Sequence, residues 1–402
     1  MNELQQLQNQ LGIARNRYKT ALSYDTIGFV PTQNIGLLSE SCNYCQALHF
    51  VSEKRGIGDG YTQCCKKGKI LLNQIRRSPF IQELLLGNDR RSQEFMKNIR
   101  NYNGALAMVS TFVKAEEQTA GGPPFFKIHG QVYHGIGGLY PQPDVKPVYN
   151  QIYIYDVEEA VHQRMTNPAN GRCNFDLMHE LSTYINEVNP FARQFRNMHE
   201  AVQEQIHTRG QTDLYMYIIS DKSQDQRRYN SPTSNDVAAV FRAEDGAAPS
   251  ERGLFVYPYE SNITPVSMLH PALDPLAYPL LFPHGDHGWS PEMTHLPARA
   301  TAHRNKTTQL QYAAYRLSVR NEDFSILHSS GKLFLQWCVD MYTRIEGERL
   351  DFIRRNQEKL RRDMYINLMD YVQNRAEDVN VPPGRIHILP SSFKGKYNIL
   401  NM

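Results

Sequence analysis

Cys42-Asn43-Tyr44-Cys45, answered downstream by Cys64-Cys65-Lys66-Lys67-Gly68-Lys69, is the stretch on which the reading of this chain turns. A Cys-x-x-Cys turn sets two thiolates about one tetrahedral edge apart, and a second pair returning from a loop closes a four-sulfur shell around zinc. Adjacent cysteines are a less usual second pair, so His49 is a substitute ligand should Cys64 and Cys65 not both turn inward. The plainer alternative is a set of buried or redox-active thiols without metal. Between these, the spacing favours a structural zinc site with no open coordination position. Lys54, Arg55, Lys66, Lys67 and Lys69 surround the cysteines and offer contacts to phosphate. Cys173 and Cys338 stand alone and read as core residues.

Working outward, the rest of the composition bounds the class. Four of six cysteines crowded into one stretch of a 402-residue chain describe a metal site in a reducing compartment, not a disulfide framework. The length exceeds one ordinary core and predicts an α+β, multidomain protein. The expected units are an N-terminal helix over 1–25, the cysteine unit over 26–75, a central α+β region over 76–300, a helical region over 301–375 and the start of a further domain over 376–402. A net charge of +3 announces no polyanion partner, so any nucleic-acid contact has to come from local basic patches. No apolar run reaches the roughly 18 residues of a membrane span, and the polar, glutamine-rich start has no signal-peptide core. An intracellular location follows as the expectation.

Local patterns fill in the elements. Pro79 to Tyr102 reads as a helix with Leu84, Leu85, Phe95 and Ile99 on its apolar face. The β-branched and aromatic run Val148 to Asp156 reads as a strand, as do Leu214–Ser220, Val237–Arg242 and Leu254–Tyr257. Leu177, Leu181, Ile185 and Val188 predict a helix that breaks at Pro190. From Thr307 to about Asn374 the pattern is helical, with Gly331 and Gly347 as punctuation and Leu335, Val339, Tyr342 and Ile345 on one face.

Three further constellations invite chemistry. His270, His284, Asp286 and His287 lie in a proline-rich stretch ending at Trp289, but their spacing fits no metal motif, and an ordered loop explains them. His129 and His134 read the same way. Arg354, Arg355, Lys359, Arg361 and Arg362 share a helix with Glu358 and Asp363; mixed signs at helical spacing describe a solvated face, with phosphate contact as the functional alternative. No phosphate loop, His-hydrophobic-His pair, Gly-x-Ser-x-Gly elbow or His-Glu-x-x-His helix occurs, so catalysis has no visible home.

Several runs together resemble the region upstream of the nuclease in Helitron transposases, rolling-circle proteins that join a replication-initiator nuclease to a helicase. They are the cysteine unit from Cys42 to Lys69, Phe126–His134, Gln151–Asp156, Asn189-Pro190-Phe191, Arg228–Thr233, His270-Pro271, Asp274-Pro275-Leu276, Tyr278–Pro283 and Gly288-Trp289. Tyr315-Arg316-Leu317, Glu348-Arg349-Leu350, Ile353-Arg354 and Leu389–Phe393 then resemble the start of the family's helicase-like N-terminal domain. The family commonly has tryptophan where His49 stands, which favours four cysteine ligands. Its metal-binding histidines and nucleophilic tyrosines lie beyond the Leu-Pro-Ser-Ser-Phe segment, so the resemblance implies a chain without catalytic residues of its own. It implies a nuclear, DNA-engaging part of a strand-nicking and unwinding machine, with transposon ends as single- or double-stranded DNA partner and the nuclease and helicase domains of a longer product as protein partners. Lys66, Lys67, Lys69, Arg354, Arg355, Lys359, Arg361 and Arg362 are the candidate nucleic-acid contacts. A zinc-stabilised protein-interaction scaffold, or a decayed transposon fragment with no DNA role, is the rival. A hydrolase built on His270, His284, Asp286 and His287 is the third reading.

Overall fold

Six of the described helices begin where a short side chain accepts an orphan N–H group of the first turn. The computed structural model describes residues 36–54, 61–115, 128–219, 238–242, 254–259, 263–296, 305–320 and 324–356. Ser78, Asp89, Asp156, Asn174, Asn189 and Thr308 each accept from a backbone N–H two or three residues on, and so open α1 (Pro79–Leu86), α2 (Arg90–Leu106), α3 (Val157–Met165), α4 (Phe175–Val188), α5 (Pro190–Arg209) and α7 (Gln309–Leu317). The single helix expected over 79–102 is therefore two, because Asp89 starts a new one after Gly87. Pro190 divides α4 from α5 as its missing N–H requires.

Strands are few and antiparallel. β1 (Leu38–Ser41) and β2 (Leu48–Phe50) form a hairpin. β3 (Ser110–Ala115), β4 (Ile128–Ile136) and β8 (Thr264–Val266) make one sheet in the order β3-β4-β8. β5 (Leu214–Ile218) is central between β6 (Ala238–Arg242) and β7 (Leu254–Val256) in the other. The expected strand over Val148–Asp156 is instead a 3₁₀ turn, Tyr149–Ile154. Its composition suits a strand, but its amides bond elsewhere. Asn150 Nδ2 donates to the carbonyls of Gly137 and Gly138 at 3.2 and 3.1 Å, and Gln151 Nε2 to those of Gly138 and Tyr140 at 3.3 and 3.2 Å. Side-chain bonds to a neighbouring loop here displace a ladder. The result is an α+β protein.

The last described helices, α8 (Ile326–Ser329) and α9 (Gly331–Arg355), correct a second expectation. Gly331 does begin a helix, with φ +50°, but Gly347 lies buried inside α9 and does not interrupt it. Of the four residues expected on its core face, only Ile345 is buried. Leu335, Val339 and Tyr342 are 63%, 61% and 62% exposed, while Leu333, Trp337, Asp340, Met341 and Arg344 point inward. Leu333, Trp337, Met341 and Ile345 join one apolar cluster with residues from Ile81 onward, including Phe95, Tyr102, Phe191, Phe195 and Phe282.

A buried ionic network decides which face wins. Arg344 Nη2 lies 2.6 Å from Asp274 Oδ1, in the short α6 (Leu273–Ala277), and 3.1 Å from Asp340 Oδ2 one turn back. Trp337 Nε1 donates to Asp274 at 3.3 Å, and His134 of β4 approaches Asp340 at 3.4 Å. A Cβ at Gly288 would fall 2.3 Å from Asp274 Oδ2, so only glycine fits there. Burial by itself raises the Asp340 carboxyl, yet Arg344 and His134 outweigh it and bring it down to about 2. Burial brings the His270 imidazole down to about 4, and its Nδ1 accepts from the Ala272 N–H at 3.2 Å.

Removing one partner leaves the other charge buried and unpaired, so Arg344→Met should cost about 3–5 kcal/mol in urea unfolding. Val339→Ser, on the exposed face of the same helix, should change stability by no more than about 0.5 kcal/mol. The pH dependence has two windows. His270, lowered from an unfolded value of about 6.5, contributes stability that is complete above that pH and is lost as pH falls through about 4. Asp340 contributes stability present above about pH 4 and lost as pH falls through about 2. Unfolding free energies measured across the acid range should lose slope in the upper window for His270→Gln and in the lower for Asp340→Asn.

Candidate metal centre

Two tight turns bring the four thiols together. After Cys42 the chain folds back, with the Gln46 N–H donating to the Cys42 carbonyl at 2.9 Å and the Cys42 N–H to that of Ala47 at 2.8 Å. Gln46 takes φ +58° to allow this. The second turn is tighter: Lys66, Lys67 and Gly68 all have positive φ, at 51°, 56° and 75°. At Gly68 a Cβ would come 2.9 Å from the Tyr44 ring, so glycine is required twice over, by backbone and by contact. This turn aims the Gly68 N–H at Cys65 Sγ, 3.2 Å away.

Cys42, Cys45, Cys64 and Cys65 are all buried, and their sulfurs lie within 4.8 Å of one another. Cys42 and Cys65 are 3.8 Å apart, and Cys64 and Cys65 4.0 Å. A zinc–sulfur distance of about 2.3 Å puts tetrahedral sulfurs about 3.8 Å apart. The set therefore fits a four-thiolate metal, and it is too open for a disulfide, whose sulfurs lie about 2.05 Å apart. Hydrogen bonds from Cys64 and Cys65 lower the Cys45 thiol, and contacts with Cys45 and Cys65 raise Cys64. Among the described residues no other group of three or more Cys, His, Asp or Glu side chains comes together in this way.

His49 is not part of the group. Its Nδ1 lies 2.6 Å from Glu53 Oε2, and its ring stacks on Tyr61 at 4.0 Å. Cys173 and Cys338 pack into or against the main core. The histidines of the proline-rich stretch also separate: His284 Nε2 contacts the Arg77 carbonyl at 3.1 Å, Asp286 pairs with Arg76 at 2.9 Å and His287 stacks on Phe191. These contacts make a loop that pins the segment leaving the cysteine unit, which is the structural reading of that stretch.

Of the candidate nucleic-acid contacts, Lys66 and Lys67 are exposed on the second turn and Lys69 is half-buried there. Arg354 and Arg355 are exposed at the end of α9, with Arg354 Nη1 3.3 Å from Asp351. The structure does not bring these two groups into one cluster. Lys359, Arg361 and Arg362 lie outside the described residues, as do the 1–25 helix and the 376–402 segment.

What the sequence reading missed is the way the unit is held. Ala47 bridges to Arg320, the Leu48 N–H donates to the Val319 carbonyl at 2.7 Å, and Arg320 Nε donates to the Cys45 carbonyl at 3.0 Å. The Arg320 guanidinium lies 3.8 Å from the Tyr315 ring centroid, and Tyr315 packs among the cysteines. Between the unit and α7–α8 runs a groove of about 770 Å³, lined by Arg76, Arg77, Arg316 and Arg320 together with Tyr44 and Phe324; among the described residues no carboxylate lines it, and Arg76 pairs with Asp286 beside it. The adjacent Arg76-Arg77 pair was a visible signal; Arg316 and Arg320 join it only through the fold.

The class defined by these features is an α+β protein carrying a four-cysteine cluster, able to hold a metal ion, docked on a helical segment. Residues 312–398 match the family model described as the Helitron helicase-like domain at N-terminus. That match supports a Helitron helicase-like protein, begins within α7 and takes in α8 and α9. Comparison with curated proteins finds no match. No helix among the described residues is long and apolar enough to cross a membrane.

Cys64→Ser should release the metal and expose the remaining thiols, whereas Cys173→Ser should leave metal content unchanged. Elemental analysis alongside thiol titration checks both, and about one metal per chain is expected in the parent.

Proposed function

We propose that this chain is the DNA-holding portion of a Helitron-type rolling-circle protein, with zinc as the metal at its four cysteines and without a nuclease or helicase centre of its own. The observation that carries the reading is the arginine-lined groove between the cysteine unit and the segment matching the Helitron domain. A concave, cationic surface with no carboxylate among its described lining residues suits a phosphate backbone, and the aromatic rings that line it suit unstacked bases. The metal holds the turn that presents Lys66, Lys67 and Lys69 beside it, and Arg320 couples that turn to α7. Arg354 and Arg355, exposed at the end of α9 and apart from the groove, offer a second cationic patch that continues in the sequence towards Lys359, Arg361 and Arg362.

One observation favours the scaffold reading. Leu335, Val339 and Tyr342 form an exposed apolar stripe on α9, a surface suited to another protein or domain. The two readings part in salt, because phosphate contacts release counterions and an apolar interface does not. In fluorescence anisotropy with a labelled single strand, affinity should fall steeply as salt rises. Replacing Lys66, Lys67 and Lys69 together by alanine should reduce the slope of log K against log salt by about 2. Binding to neither single- nor double-stranded DNA at low salt, with zinc present, overturns the DNA reading.

A further inference from the structure

Among the described residues two arginines are buried, in different surroundings. Arg344, 3% exposed, lies between two aspartates. Arg164, at the end of α3 and 1% exposed, has no carboxylate partner among the described residues. Its Nε donates to the Ala105 carbonyl at 3.0 Å and its Nη1 to Ser182 Oγ at 3.2 Å, with the Tyr153 ring centroid 4.9 Å from the guanidinium carbon. Nη2 is buried with no partner. A buried guanidinium with an orphan donor and no counter-charge is costly unless an anion completes it.

Arg164 lines a cavity of about 760 Å³ formed by the end of α2, the 146–152 segment, the turn after α3 and Gln336 of α9. Two exposed cations, Arg100 and Lys146, line the same cavity, and among the described residues no carboxylate does. Pro147, Val148, Tyr149 and Ile152 give the lining an apolar part. Tyr149 has φ +52°, a region that bulky side chains rarely adopt and that is held only where surrounding structure imposes it. The imposed conformation is the 3₁₀ turn fastened by Asn150 and Gln151, which leaves the Tyr149 side chain part-exposed on the cavity lining.

We infer that this cavity is a nucleotide site: Arg100 and Lys146 take the phosphate over the buried charge of Arg164, and the base lies against Pro147, Val148 and Tyr149. A cationic floor beside an apolar, aromatic wall is the complement of a phosphate joined to a planar base. The cavity is separate from the groove at the cysteine unit, and none of its lining residues is shared with it. The inference rests on the DNA reading only for the source of the nucleotide, which is a unit of the bound strand. A free mononucleotide carries the same chemistry, and the experiment separates the two.

The test uses the full, zinc-loaded chain, with thymidine monophosphate and inorganic phosphate titrated calorimetrically and a labelled thymidine oligonucleotide followed by anisotropy. Thymidine monophosphate should bind more tightly than phosphate, and Arg100→Ala and Lys146→Ala should each weaken it about tenfold, as loss of one charge-assisted contact implies. The oligonucleotide should lose affinity in the same two variants if the nucleotide belongs to a strand; an unchanged oligonucleotide affinity overturns that part and leaves a free-nucleotide site. Arg164→Met, with its fold checked by circular dichroism, should abolish mononucleotide binding; should it not fold, the two exposed variants decide. No binding of the monophosphate, equal binding of phosphate, or parental affinity in both exposed variants overturns the inference. Strand binding that survives such a failure leaves the groove reading intact, and monophosphate binding without strand binding removes that reading and keeps this one.

Discussion

One guanidinium sets the orientation of the helical end of this protein. Arg344 is cut off from water and held by Asp274 and Asp340, so α9 packs with that face inward despite the apolar stripe opposite. The attraction between charges in a buried site offsets their desolvation only when geometry and hydrogen bonds are good. Here Trp337 and Arg344 both reach Asp274, and Gly288 leaves the space that its carboxylate needs. The Asp274 loop, β4 through His134, and α9 are thereby tied at one point. The network specifies which faces meet, a role for buried ion pairs that goes with specificity more than with net stability.

That fixed helical end carries the dock for the cysteine unit. Tyr312 is buried beneath the Arg316 guanidinium, and Tyr315 and Arg320 on the next turn and beyond grip the cysteine turn. The chain thus places its cysteine turn against the beginning of the segment that matches the Helitron domain. Cationic side chains from both sides then face one groove. Sequence position, metal site and basic surface are linked by contact, which is why the groove and not any single lysine carries the functional proposal.

How much of this was legible in the sequence depends on whether the signal was local. The four cysteines were readable because their spacing and the following glycine encode the turns directly. Helix starts at Pro79, Phe175 and Pro190 were readable for the same reason, through caps and prolines. The 3₁₀ turn at Tyr149 was not, because β-branched and aromatic composition points to a strand while Asn150 and Gln151 bond to a distant glycine loop. The buried face of α9 was misread because hydrophobic periodicity gives no weight to an aspartate and an arginine whose partner lies in another element. Arg164, one basic residue among many in the sequence, becomes notable only once its burial is known.

The central claim is that the four thiols form one metal centre on which the surrounding surface is built. X-ray absorption at the zinc edge of the purified protein tests it most directly. Four sulfur scatterers at about 2.3 Å, with no nitrogen or oxygen shell, are the predicted result. A mixed shell containing nitrogen or oxygen, or protein that carries no zinc when prepared with the metal present, would contradict the account.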